Sequence, residues 1–141
     1  MKLQFSAARE EDIPVIFTQA KNLIDQYEDV SNIAYDKVLA WVMRKIEANI
    51  LEYCCVMADG EKSAYYRLCE DGELDDLYVL PAFQNRGIGS AIMSRCIAKA
   101  ENNIYLYVFS RNSRAISFYE RFGFFVREKI GETRLILERK G

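Results

Sequence analysis

The chain has 141 residues, 50% of them apolar and 28% charged, with a formal net charge of −2; this length suits a single domain over residues 1–141 that can bury a core without disulfide or metal support. The slight acidity argues against nucleic acid, whose binding rests on basic surface, and no apolar run approaches the ~20 residues of a membrane span. Histidine is absent, which excludes Ser-His-Asp and Cys-His hydrolases, HExxH metalloproteases and histidine proton shuttles in their usual forms.

The opening MKLQFSAARE lacks the continuous apolar stretch of a secretion signal, so a cytoplasmic location is expected. Lys2–Ala8 reads as a first strand. Asp12 is expected to cap a helix with Pro14 in its first turn. Ile13, Ile16, Phe17, Ala20, Ile24 and Tyr27 then recur at helical spacing. A second amphipathic helix carries Tyr35, Val38, Leu39, Val42 and Ile46. Leu51–Met57 and Ser63–Cys69 flank the hairpin signal Asp59-Gly60, and Asp71-Gly72 leads into Glu73–Val79, giving an antiparallel meander.

From Gly87 to Glu101 the spacing is helical, with apolar residues on more than one side, so this helix is expected to pack on two sides. Ile104–Phe109 is apolar on both faces, as in a central buried strand. Ala115, Phe118, Tyr119 and Phe122 mark a helix stopped by Gly123. Phe124–Ile130 and Thr133–Glu138 close the chain as a hairpin. The order β-α-α-β-β-β-α-β-α-β-β, with one parallel crossover between Glu73 and Phe109, predicts an α+β fold with a mixed, mostly antiparallel sheet. The four cysteines, Cys54, Cys55, Cys69 and Cys96, form no CxxC pair; they read as small buried hydrophobes in a reducing compartment, and no metal is expected.

The most informative segment is Leu77-Tyr78-Val79-Leu80-Pro81-Ala82-Phe83-Gln84-Asn85-Arg86-Gly87-Ile88-Gly89-Ser90: a strand end, a loop, and a helix opening with two glycines. Helix N-termini expose unpaired N–H groups and receive anions. No Lys-Ser/Thr follows the glycines and Ile92 takes the third glycine position, so neither a P-loop nor a dinucleotide fingerprint is present. On these residues alone an anion site and a plain tight loop remain open.

Gln84-x-x-Gly87-x-Gly89 resembles the Q/R-x-x-G-x-G/A signature of GNAT acetyltransferases. Asn112-x-x-Ala115-x-x-x-Tyr119 with Gly123-Phe124 resembles that family's later segment. The resemblance extends over nearly the whole chain and implies helices on both faces of the sheet. It further implies an acetyl-CoA-dependent N-acetyltransferase that carries an acetyl group to a primary amine in a ternary complex. Acetyl-CoA is then a co-substrate, the amine belongs to a small molecule or a peptide, and no nucleic acid, membrane or metal is involved. A homodimer is compatible with it.

The resemblance also assigns roles. The N–H groups of Asn85, Arg86, Gly87, Ile88, Gly89 and Ser90 would hold the CoA diphosphate, with the Arg86 side chain near phosphate or adenosine. Leu77, Tyr78 and Val79 would pair with the pantetheine arm in a wedge between Glu73–Val79 and Ile104–Phe109. Asn112 would bond the pantetheine, cap its own helix, or both. Val79 N–H would steady the oxyanion, Tyr119 would protonate the departing thiolate, and Glu73 would take the amine proton. Glu73 also reads as part of a solvated acidic turn. Tyr107 stands where some relatives that acetylate protein amino termini carry a glutamate base, a departure that speaks against such a substrate. Cys96, inside a helix and without a histidine, is not expected to carry an acyl group. A CoA-binding regulatory module and a purely structural domain are the rival readings.

The cluster Glu70, Asp71, Glu73, Asp75 and Asp76 predicts a cationic acceptor. Strand alternation places Glu73 and Asp75 on one face and Asp76 on the other.

Overall fold

In the computed structural model, which describes residues 1–141, the chain runs β1 (Leu3–Ala7), α1 (Ile13–Tyr27), α2 (Tyr35–Asn49), β2 (Cys54–Ala58), β3 (Glu61–Leu68), β4 (Leu74–Val79), α3 (Ile88–Lys99), β5 (Ile104–Phe109), α4 (Ser113–Glu120), β6 (Phe125–Ile130) and β7 (Arg134–Arg139). The order is the expected one. The second strand begins only at Cys54, because Ile50–Glu52 closes a 3-10 turn after α2. Asp12 stands at the N-cap position of α1, but its side chain accepts no hydrogen bond from that helix. Its carboxylate is buried and accepts from Arg9 N–H (2.8 Å), Tyr65 Oη (2.6 Å) and Lys62 Nζ (2.8 Å). It therefore pins the entry of α1 to β3.

The strands form an antiparallel four-stranded sheet, β1-β2-β3-β4, and an antiparallel three-stranded sheet, β5-β7-β6. Adjacent residues of the first sheet face opposite cores. Cys55, Tyr65 and Tyr78 meet Ile16, Ala20, Ile24, Val42 and Ile46 of α1 and α2. Val56, Ala64 and Tyr66 meet Ile88, Ile92, Met93 and Cys96 of α3. α3 thus buries one broad stripe rather than two sides, and meets a second helix at Gly89, which lies against Phe118 of α4. β5 is also one-sided. Ile104, Leu106 and Val108 are buried, whereas Tyr107 is 46% exposed. On that face β5 meets the helical layer chiefly at Phe109, stacked on Tyr27 at the end of α1.

The two sheets touch at a single parallel bridge, Glu73 with Tyr105, where Tyr105 N–H donates to the Gly72 carbonyl at 3.1 Å. Gly72 (φ 97°) is required there, since a Cβ would stand 2.3 Å from the Asn103 carbonyl oxygen. Past this bridge β4 and β5 share no ladder. The expected mixed sheet is therefore split along its parallel seam, closed at Glu73 and open toward Val79 and Phe109.

Candidate active site

The register shows which backbone groups line the split. Leu80 N–H donates to the Ser63 carbonyl at 2.9 Å. In this antiparallel register Tyr78 and Asp76 also turn their backbone groups to β3. Those of Leu77 and Val79 turn the other way, into the groove. On the far side Ser110 N–H donates to the Thr133 carbonyl at 2.8 Å, so Leu106 and Val108 pair with β7 while Tyr107 and Phe109 face β4. Two carbonyls on these edges are already used. Val79 O accepts from Gln84 Nε2 (3.0 Å) and Phe109 O from Asn112 N–H (2.9 Å). The N–H groups of Leu77, Val79, Tyr107 and Phe109 remain, as do the Leu77 and Tyr107 carbonyls, an unpaired edge suited to an extended chain of amides.

At the open end the backbone leaves β4 through a 3-10 turn, Pro81–Phe83, and enters α3. The first helical bond runs from Ala91 N–H to the Gly87 carbonyl at 3.0 Å. The N–H groups of Asn85, Arg86, Gly87, Ile88, Gly89 and Ser90 have no acceptor within the chain. Together with the positive end of the α3 dipole they form an anion cradle. Gly87 (φ 82°) supplies the left-handed turn and has nothing within 4 Å of where a Cβ would stand. Gly89 has a different reason. Its Cβ would stand 3.4 Å from the Phe118 ring and 3.8 Å from Val79 Cγ2, so it lets α4 pack closely on α3. Arg86 lies over the Phe83 ring at 5.4 Å.

α4 flanks the groove on the α3 side. Asn112 Oδ1 accepts from Ala115 N–H at 3.1 Å, so Asn112 caps the helix. Seven residues on, the half-buried ring of Tyr119 sits against Phe118 (5.2 Å between centroids) and Phe124 (5.5 Å). Its hydroxyl makes no hydrogen bond within the chain, yet it is not a sealed, unsatisfied group. Burial, with the Asp76 carboxylate and Cys96 adding to it, raises the phenol above the usual tyrosine range. Such a phenol stays protonated at neutral pH and can donate. Burial also pushes the Cys96 thiol up to about 11, which leaves little thiolate.

The acidic segment differs from expectation. Arg67 lies opposite Asp76 and Leu68 opposite Leu74, so Asp75 is the extra residue of a β-bulge. The bulge brings Asp75 and Asp76 to the same side, against α2, instead of to opposite faces. Lys45 Nζ reaches both, at 3.2 Å and 3.1 Å. Arg67 Nη1 also holds Asp75 at 2.8 Å, and Asp76 accepts from Tyr53 Oη (2.5 Å) and Tyr78 Oη (2.7 Å). These two carboxylates are consumed by the fold. Asp71 is partly consumed, accepting from Tyr105 Oη at 2.6 Å and Glu73 N–H at 3.0 Å. The Glu73 carboxylate has no ion-pair partner. Cys69 Sγ and carboxylate oxygens of Asp71 and Glu73 lie within 4.8 Å of one another. Burial first, then Asp75 and Asp71, raises the Glu73 carboxyl, against the pull of Lys45 and Arg67.

The structure therefore gathers Leu77, Val79, Asn112 and the 84–90 loop around the open groove, and leaves Glu73 at its closed end. Sequence reasoning missed Lys45, Tyr53 and Tyr105, which decide the state of the acidic segment. Lys45 and Tyr53 sit 30 and 23 residues before the aspartates they bond, and no local pattern marks them.

The model of the acetyltransferase (GNAT) family matches residues 15–124 of the chain. Among curated proteins it is similar to an uncharacterized N-acetyltransferase of Methanocaldococcus jannaschii, 35% identical over 65 residues, a match covering 43% of this chain and 29% of that protein. The match thus spans less than a third of that relative's length. Among solved structures it resembles the PaiA N-acetyltransferase of Thermoplasma acidophilum in complex with coenzyme A, with a TM-score of 0.67, 20% identity and 100% of both chains covered. It also resembles an acetyltransferase of Thermus thermophilus, with a TM-score of 0.74, 19% identity and 100% and 98% covered. At these identities the structural likenesses establish the fold. No helix is long and apolar enough to cross a membrane.

Proposed function

The chain belongs to the acetyltransferase (GNAT) family, and from that premise we propose that it transfers an acetyl group from acetyl-CoA to a primary amine by direct attack in a ternary complex. The observation that carries this reading is the run of unpaired N–H groups from Asn85 to Ser90, opening directly onto the unpaired edges of β4 and β5. The cradle takes the diphosphate, and the amides of the pantetheine arm pair with Leu77 and Val79. The Asn112 side chain, besides capping α4, has an amide NH₂ left for the same arm.

The amine nitrogen attacks the thioester carbon, the carbon–sulfur bond breaks, and the thiolate takes the Tyr119 proton. Glu73 accepts the proton lost by the amine. Glu73 and Val79 are six residues apart, roughly 20 Å along a strand, so a carbonyl held at Val79 lies beyond direct reach of that carboxylate. Leu77 N–H offers the same donor two residues nearer. We therefore assign the oxyanion to Leu77, with water relaying the proton to Glu73.

The acceptor is a cationic amine. With Asp75 and Asp76 paired, the attracting charge is Glu73, with Asp71 beside it and Glu70 exposed on the same turn. Incubation with acetyl-CoA and a panel of monoamines, polyamines, amino acids and peptides, read as free-thiol release, tests the whole reading. Release with cationic amines supports it. CoA binding without release for any amine would leave a CoA-binding module instead. No thermal shift with CoA would remove the cofactor site itself.

A further inference from the structure

Two walls of the groove's mouth, the 84–87 loop and the first turn of α4, are joined by one side-chain contact: Arg114 Nη2 donates to Asn85 Oδ1 at 2.9 Å. Asn85 carries a left-handed φ of 63°, one of two non-glycine residues in that region of conformational space, the other being Asp59 in a hairpin turn. Left-handed backbone is uncommon outside glycine, though Asn tolerates it best. The Asn85 turn begins the row of unpaired N–H groups. The Arg114 guanidinium is exposed, forms no ion pair with any carboxylate, and has further N–H groups without acceptors. Arg67 and Arg127, by contrast, are paired with Glu52, Asp75 and Glu138.

We propose that Arg114 is a further diphosphate-binding residue of the acetyl-CoA site, anchored beside the cradle through Asn85. The inference rests on the acetyl-CoA reading above. Backbone N–H groups and a helix dipole supply only about half a unit charge, whereas a diphosphate brings two negative charges. A planar guanidinium can spare one N–H for Asn85 and present its others to phosphate oxygens. Arg86 is less suited to this, since its guanidinium already lies over Phe83.

The test is calorimetric titration of the full chain and its variants with CoA and with dephospho-CoA, which keeps the diphosphate and lacks the 3′-phosphate. Wild-type protein that bound neither would defeat the acetyl-CoA reading, independently of Arg114. With wild-type binding in hand, Arg114→Gln should raise Kd for both ligands by the same ~10–100-fold, the scale of charge-assisted hydrogen bonds. Arg114→Lys, which keeps the charge and loses the fork, should fall between. The loss in Arg114→Gln should shrink as salt is raised, because the lost attraction is between exposed charges. A loss seen with CoA but not with dephospho-CoA, a loss indifferent to salt, or no loss would each overturn the proposal.

Discussion

The 84–90 loop and the 70–76 segment carry the two clearest charge signals in the chain and stand at opposite ends of β4. The first offers hydrogen-bond donors and the second carboxylates. In the loop the donors stay unpaired in the folded chain, because no acceptor of the chain reaches them. In the acidic segment the opposite happens. Lys45 and Arg67 pair with Asp75, and Lys45, Tyr53 and Tyr78 close around Asp76. Burial raises the Asp76 carboxyl, and those three donors offset much of that cost. A backbone signal thus survives folding more readily than a side-chain signal. Helix geometry guarantees orphan N–H groups, whereas a carboxylate has use for any cation the fold brings near it.

Between the two ends lies the chemistry, and the largest effect is expected there. Tyr119→Phe keeps the ring between Phe118 and Phe124 and removes only the hydroxyl. It should lower kcat by ~10²–10⁴-fold, with acetyl-CoA affinity nearly unchanged; wild-type turnover would make Tyr119 a packing residue.

The acidic end is sharpened by separating Glu73 from Asp75. Glu73→Gln should reduce kcat/KM for the amine by roughly 10²-fold and abolish the acid limb of the pH–rate profile. A base with a raised pKa loses activity as pH falls through that value, so the wild-type limb should stand above the ordinary glutamate range. Asp75→Asn should behave otherwise, leaving amine KM alone and lowering stability by ~1–3 kcal/mol, since it strips a partner from Lys45 and Arg67. Equal effects of the two substitutions on KM would show that the whole cluster attracts substrate.

At the loop, Gly89→Ala places a methyl in near-ordinary contact with Phe118 and should be tolerated. Gly89→Val should push α4 away, costing ~1–3 kcal/mol of stability together with CoA affinity. Loss of affinity without loss of stability would mean that the side chain met the ligand and not Phe118.

The smallest effect concerns Asp12, which serves neither end. Burial raises its carboxyl, but hydrogen bonds from Lys62, Tyr65 and Arg9 outweigh that and hold it below the usual carboxylate range. A depressed carboxyl stabilises the fold above its unfolded value and loses that contribution as pH falls through the folded one. Asp12→Asn should cost ~1–2 kcal/mol in urea unfolding at neutral pH, with the difference from wild type shrinking below about pH 4. A constant difference across the acid range would exclude this linkage.

Local rules were enough for much of the molecule. Residue periodicity and turn signals marked all eleven elements in order, because helix and strand spacing and a Gly-bearing hairpin act over a few residues. The Gln84–Ser90 loop was legible for the same reason: its donors depend on where α3 begins, and Gly87 marks that point. Other features depended on residues far apart in the chain. The bulge at Asp75 follows from pairing with β3, the open edges of Leu77 and Tyr107 from the splitting of two sheets, and the pairing of Asp76 from Tyr53 and a lysine on α2. Gly89 opens the helix that receives the anion, yet what lies nearest to its missing side chain is a ring on another helix. Short-range backbone geometry is written within a few residues of sequence, whereas a charge or a methyl-sized space takes its meaning from whatever side chain folding places beside it.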